Sequence, residues 1–213
     1  MAHRQRFSRA LLPLIALLAL GASADDTGAD RLHSYLASVQ GMQGSFRQQV
    51  IDSRGRVIED ASGVVAMQRP GRFRWDYQTP FRRVIVADGE RVWLYEADLD
   101  QVTIRKLTSG IGDTPAALLT GRESVLERFK VERSWTEGEL ALVRLIPRSE
   151  ESDFAGVTLG FKGSELRQLL FDDRLGQQTR IDLSSVGTNP TLSPDLFRFQ
   201  PPPGADVIDD SEL

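Results

Sequence analysis

Residues Arg72 to Tyr77 read Arg-Phe-Arg-Trp-Asp-Tyr, so an extended chain puts Phe73, Trp75 and Tyr77 on one face and Arg72, Arg74 and Asp76 on the other. A helix would scatter the three rings around its axis, whereas a strand gathers them on one dry side that a sheet and a cover must bury. The same alternation and its punctuation recur along the chain. Gly44 to Val50 and Gly63 to Gln68 flank a turn at Ser53-Arg54-Gly55, and Arg82 to Ala87 and Glu90 to Glu96 flank Asp88-Gly89, a pair suited to a type I′ hairpin. Further hairpins are predicted at Glu137-Gly138, Lys162-Gly163-Ser164 and Leu175-Gly176. Phe197 and Phe199 are expected on one face of a last strand, which Pro201 to Pro203 stop because proline cannot donate to a ladder. Many strands joined by short turns imply a large antiparallel sheet.

Helical spacing interrupts the strands in few places. Asp30 is a candidate N-cap for a helix carrying Leu32, Tyr35, Leu36 and Val39 and ending near Gly41. Asp113 or Thr114 can cap a second helix, with Pro115 at its first position, Ala116, Ala117, Leu118 and Leu119 after it, and Gly121 at its close. Val125, Leu126 and Phe129 suggest a third, short one. Helices this short are marginal alone and must pack on something apolar.

The N-terminus has a different character. Arg4, Arg6 and Arg9 precede an apolar run from Ala10 to Leu20 and then Ala22, Ser23 and Ala24, the order of a secretory signal peptide. At about 1.5 Å per residue the run reaches roughly 16 Å, short of a hydrocarbon core of about 30 Å. Residues 1–24 are therefore expected to be cleaved, leaving residues 25–213 as a single soluble, exported domain. The chain has no cysteine, so an exported form must rely on its core rather than on disulfides, and no thiol is present to carry a lipid anchor. The formal net charge is −4, and loss of the three leader arginines makes it more acidic, which disfavours nucleic acid as a partner.

Catalytic chemistry finds little to work with. Of the two histidines, His3 leaves with the leader and His33 sits alone beside Leu32 on the first helix. A Ser-His-Asp site would have to be built on that helix, where a structural or solvent-exposed histidine is the favoured reading, and a zinc site lacks the cysteine or second histidine of the usual ligand set. Gly110-Ile111-Gly112-Asp113 lacks the third glycine of a dinucleotide fingerprint and any following Lys-Ser or Lys-Thr. The acidic pairs Glu150-Glu151, Asp172-Asp173 and Asp209-Asp210 are adjacent residues, which point to opposite faces of a strand. No enzyme, metal or cofactor is expected.

Gln68-Arg69-Pro70-Gly71-Arg72-Phe73-Arg74-Trp75 resembles the signature of the LolA family of outer-membrane lipoprotein carriers. Ala87-Asp88-Gly89 with Val92-Trp93-Leu94-Tyr95 resembles that family's next hairpin, and Gly112-Asp113-Thr114-Pro115 with Leu118-Leu119 its lid helix. Asp195 to Phe199 and Pro202 to Val207 resemble its C-terminal end. The resemblance implies an incomplete, strongly curved antiparallel half-barrel, with short helices forming a lid over an apolar cavity. It also implies a function: a monomeric periplasmic chaperone that receives acylated lipoproteins from the inner-membrane ABC transporter complex LolCDE and hands them to the outer-membrane receptor LolB. The lid segment Ala116-Ala117-Leu118-Leu119 is smaller than family lids that carry an aromatic or a methionine.

On that reading the acyl-chain cavity is lined by Phe46, Met67, Phe73 and Trp75. The 82–95 hairpin offers two apolar faces, Ile85, Val92 and Leu94 or Val84, Val86, Trp93 and Tyr95; the first is preferred as the more aliphatic. Leu36, Leu118 and Leu119 are the expected lid residues. Arg69 matches the arginine that, in the family, bonds lid carbonyls and holds the closed form. The second reading is a periplasmic acyl-chain-sensing regulatory binding domain of similar half-barrel fold, which would be expected to carry a further, partner-binding domain.

Overall fold

The computed structural model describes residues 27–107, Thr120 and 127–211. The expected leader, the Gly110–Asp113 run, the helix around Leu118 and Leu119, and Val125 and Leu126 lie outside these residues.

Helix α1 (Gly28–Ser38) starts earlier than Asp30. Thr27 is the N-cap and Asp30 its reciprocal partner: Thr27 Oγ1 accepts from the Asp30 N–H at 3.3 Å, and the Asp30 carboxylate accepts from the Thr27 N–H at 3.1 Å. The buried side, Leu32, Tyr35 and Leu36, has helical spacing, and His33 is exposed on the other. Gly28 lets the first turn lie directly on the sheet, since a Cβ there would stand 2.3 Å from the Leu142 carbonyl oxygen.

Twelve strands follow among the described residues: β1 (Gly41–Ile51), β2 (Val57–Gln68), β3 (Arg72–Thr79), β4 (Arg83–Asp88), β5 (Arg91–Glu96), β6 (Gln101–Lys106), β7 (Phe129–Glu137), β8 (Leu140–Pro147), β9 (Phe154–Lys162), β10 (Glu165–Asp173), β11 (Gln178–Thr188) and β12 (Asp206–Asp209). They form one sheet in the order β12-β6-β5-β4-β3-β2-β1-β11-β10-β9-β8-β7, open rather than closed into a barrel. Neighbours are antiparallel except β12, which joins β6 in parallel. The expected mainly antiparallel half-barrel is what forms. Its inner face, from Phe46 and Trp75 on one side to Leu159, Phe161 and Phe171 on the other, makes one apolar core with α1.

Three local expectations fail. Gly89 takes φ +107, but Asp88 is not among the residues with positive φ, so the turn is not type I′. The Asp88 carboxylate instead accepts from the N–H groups of Glu90 and Arg91, each at 2.8 Å, and this side-chain bond organises the turn. Phe129 does not continue a helix; it opens β7 opposite Pro147.

Phe197 and Phe199 are not on a strand. Ser193 caps a 3-10 turn over Pro194–Phe197, and Phe197 is buried against the outer side of β3 and β4. Phe199 lies 5.9 Å from the Tyr95 ring. The last strand, β12, forms beyond the prolines.

Candidate functional site

Antiparallel register sorts the predicted residues into rows across the inner face. Met42, Met67, Phe73, Ala87 and Val92 form one row by successive pairing; Val65, Trp75, Ile85 and Leu94 form the next. Phe46 and Tyr77 flank Gly63 in the third. The Phe46 ring lies 5.2 Å from Trp75 and 4.9 Å, nearly edge-on, from Tyr77. Gly63 makes that cluster possible, because a Cβ there would stand 2.0 Å from the Asp76 carbonyl oxygen and 3.0 Å from the Phe46 ring.

All seven predicted lining residues thus share one face. Phe46, Met67, Phe73, Trp75 and Val92 are buried in the core, Ile85 is half-buried against it, and Leu94 is half-buried at its margin. The alternative hairpin face, Val84, Val86, Trp93 and Tyr95, points outward, where Phe197 and Phe199 cover it.

Helix α1 lies over the other half of this face, against β7, β8 and β9. Tyr35 packs on Phe161 at 5.7 Å between ring centres, and its hydroxyl donates to Met42 Sδ at 3.7 Å. Burial pushes the Tyr35 hydroxyl up to about 12, against the opposing pull of the Arg69 charge. Near the other end, Arg31 Nη1 donates to the Gly163 carbonyl.

The C-terminus of α1 has no basic residue in its last turn and ends on Val39 rather than glycine, so its carbonyls need partners from elsewhere. Arg69, in the β2–β3 turn, supplies two: Nη1 donates to the carbonyls of Leu36 at 2.9 Å and Val39 at 2.6 Å. Its backbone N–H donates to the Gln40 carbonyl at 2.8 Å, and its guanidinium carbon sits 5.5 Å from the Tyr35 ring centre. Arg69 is only 8 % exposed, and burial lowers its pKa. A cation at a helix C-terminus also meets the negative end of the helix dipole.

Asn189 completes the clamp from the end of β11. Its Nδ2 donates to the Ser38 carbonyl at 3.0 Å, and its Oδ1 accepts from the N–H groups of Gln40 at 2.7 Å and Gly41 at 3.1 Å. Sequence reasoning missed this residue. The available signal was the Asn189-Pro190 pair, a turn marker, with asparagine at φ +51. Met42 was also missed, although alternation from Phe46 places it on the same face and it is fully buried.

At the opposite rim the aromatic stripe ends in a cleft of about 390 Å³, lined in part by Ile58, Ala61, Tyr77, Pro80, Phe81 and Arg83. The Tyr77 hydroxyl donates to Gln48 Oε1 at 2.9 Å, and the Arg83 guanidinium carbon lies 4.2 Å from the Tyr77 ring centre. Among the described residues no cluster of three or more His, Asp or Glu side chains is placed to hold a metal ion.

The sequence pattern of the family described as outer membrane lipoprotein carrier protein LolA matches residues 37–200. An outer-membrane lipoprotein carrier protein from Methylococcus capsulatus is 40 % identical over 200 residues, covering 94 % of this chain and 96 % of that one. Its counterpart from Halorhodospira halophila is 40 % identical, covering 94 % of both chains. Among solved structures, an uncharacterized conserved protein from Thermus thermophilus superposes with a TM-score of 0.52 at 17 % identity, over 85 % of this chain and 96 % of that one, a likeness of fold. Identity of this level over nearly the full length, together with the family pattern, places the chain in the LolA family of outer-membrane lipoprotein carrier proteins.

Proposed function

We propose that this chain is a periplasmic lipoprotein carrier that shields acyl chains against the inner face of its half-barrel. The observation that carries the reading is the apolar face formed by Phe46, Met67, Phe73, Trp75, Ile85, Val92 and Leu94, continuous with the half of the inner face that α1 covers against β7–β9, the helix being held at its end by Arg69 and Asn189. Its relatives are named outer-membrane lipoprotein carrier proteins, which fits the same use.

Shielding is easy to drive: burying roughly a dozen methylenes contributes about 10 kcal/mol at about 0.8 each. Release is the harder requirement, and a helix that competes for the same face meets it. Leu36, with Leu32 and Tyr35, occupies apolar space in the closed protein, so an incoming chain must displace them and its net affinity falls. The same part is proposed for Leu118 and Leu119. Arg69 sets the balance as a latch, because its bonds to the α1 carbonyls exist in the closed form and must break if the helix moves.

The proposed route is export with cleavage after Ala24, loading at the inner-membrane transporter complex LolCDE, and delivery to the receptor LolB. N-terminal sequencing of the periplasmic protein is expected to start at Asp25. The decisive experiment asks whether purified protein keeps a triacylated lipoprotein in solution without detergent. The expected result is a one-to-one complex that passes its cargo to LolB; aggregation of the lipoprotein at stoichiometric protein would refute the reading.

A further inference from the structure

We propose that Trp75 Nε1–H is a subsite for a carbonyl oxygen, the ester or amide carbonyl that joins an acyl chain to its head group. The proposal rests on the carrier reading above and adds a polar anchor to an otherwise dry face. Trp75 is 5 % exposed, and its Nε1 is buried without a hydrogen-bond partner among the described residues. Its cross-strand neighbours are Val65 and Ile85, and the nearest ring is Phe46. None of these side chains can accept a hydrogen bond. The strand carbonyls around it are committed to the β2–β3–β4 ladder.

A buried indole ordinarily finds an acceptor, and a donor left dry destabilises the state that holds it. Phenylalanine would fill much of the same space and leave nothing unsatisfied. The N–H therefore penalises the closed protein, and a ligand that brings an acceptor to this row removes the penalty. The hydrocarbon of an acyl chain brings none; its ester or amide carbonyl does. A carboxylate fits less well, because the row Val65, Trp75, Ile85, Leu94 holds no cation to pair with it. Trp75 sits between Phe73, toward the Arg69 rim, and Tyr77, toward the cleft. A carbonyl held there fixes how far a chain runs along the face.

Calorimetry with a diacylglyceryl-cysteinyl peptide and its dialkyl-ether counterpart separates the donor from the apolar contact. Wild-type protein is expected to bind the ester form about tenfold tighter, the scale of one hydrogen bond. Trp75→Phe is expected to bind both forms with equal affinity, the ester preference being lost. In parallel, the indole ¹H–¹⁵N signal of Trp75 in the wild type shifts downfield with the ester peptide and not with the ether. That arm needs no substitution and decides the matter alone if Trp75→Phe does not fold. Equal wild-type affinity for both peptides, an ester preference retained by Trp75→Phe, or an indole signal indifferent to the ester overturns the subsite and leaves the carrier reading standing. Failure of wild-type protein to bind either peptide overturns the carrier reading, and the subsite with it.

Discussion

Arg69 and Asn189 divide the last carbonyls of α1 between them: the guanidinium takes those of Leu36 and Val39, and the amide takes that of Ser38. One comes from the β2–β3 turn and the other from the end of β11, so two separate parts of the sheet fix one helix end.

Arg69→Leu removes the charged donor and keeps an apolar stem. Hydrogen bonds to charged groups contribute about 1.5 to 3 kcal/mol, so losing the two to Leu36 and Val39 from the closed form shifts the equilibrium toward loading by at least about tenfold, the scale of one such bond. The variant is expected to accumulate bound lipoprotein and to transfer it poorly. Uptake and transfer measured separately test this; normal transfer at unchanged stability would remove the latch from the proposal.

Asn189→Ala deletes three hydrogen bonds at the same helix end and replaces an asparagine suited to φ +51. A loss of about 1 to 3 kcal/mol is expected, with faster amide exchange at Val39, Gln40 and Gly41. Combined with Arg69→Leu, the loss should fall short of the sum, because both act on one helix end. Full additivity in a denaturant series would show that the two contacts are independent.

Gly28→Ala sets two effects against each other. Helix propensity alone favours alanine by about 1 kcal/mol. The added Cβ, however, meets the Leu142 carbonyl at 2.3 Å, so α1 must lift from β8. The expected outcome is a lower midpoint of unfolding and faster lipid uptake; a stabilised variant would show that β8 yields instead.

Alkaline pH reports on Tyr35. Folding raises its pKa from 10.0 to about 12, so its contribution to stability is fully present below about pH 10 and is lost as the pH rises through about 12. In that window the unfolded chain releases the phenolic proton while the folded protein retains it. Tyr35→Phe is expected to lose stability less steeply than wild type between pH 10 and 12 in urea titrations. Identical slopes would place the dependence on other groups.

Phe73, Trp75 and Tyr77 were legible as one strand face because a two-residue period is local and needs no knowledge of partners. Gly138, Gly163 and Gly176 marked their hairpins for the same reason, and each adopts positive φ. Which face of the 82–95 hairpin looks inward was not legible. Both sides are dry, one against the core and one under Phe197 and Phe199, and burial on both faces erases the alternation that would distinguish them. The Asp88 turn depends on a side chain competing with the backbone, and the Asn189 clamp joins residues from opposite ends of the sequence. Neither leaves a periodic trace. The resemblance supplied Arg69, while the structure supplied the carbonyls it meets.

Helix α1 rests on β7–β9, yet its end is fastened to the β2–β3 turn and to β11, so it spans an arch whose outermost strands among the described residues, β12 and β7, do not pair with each other. It acts as a tie-rod. Loosening one fastening frees the arch to spread as well as the helix to swing, and a bulky cargo can then be accommodated by widening rather than by emptying a preformed hole. The span between Gly138, at the tip of the β7–β8 hairpin, and Gly89, at the tip of the β4–β5 hairpin, is where that widening would register, as an increased distance between spin labels beside the two turns when cargo is bound.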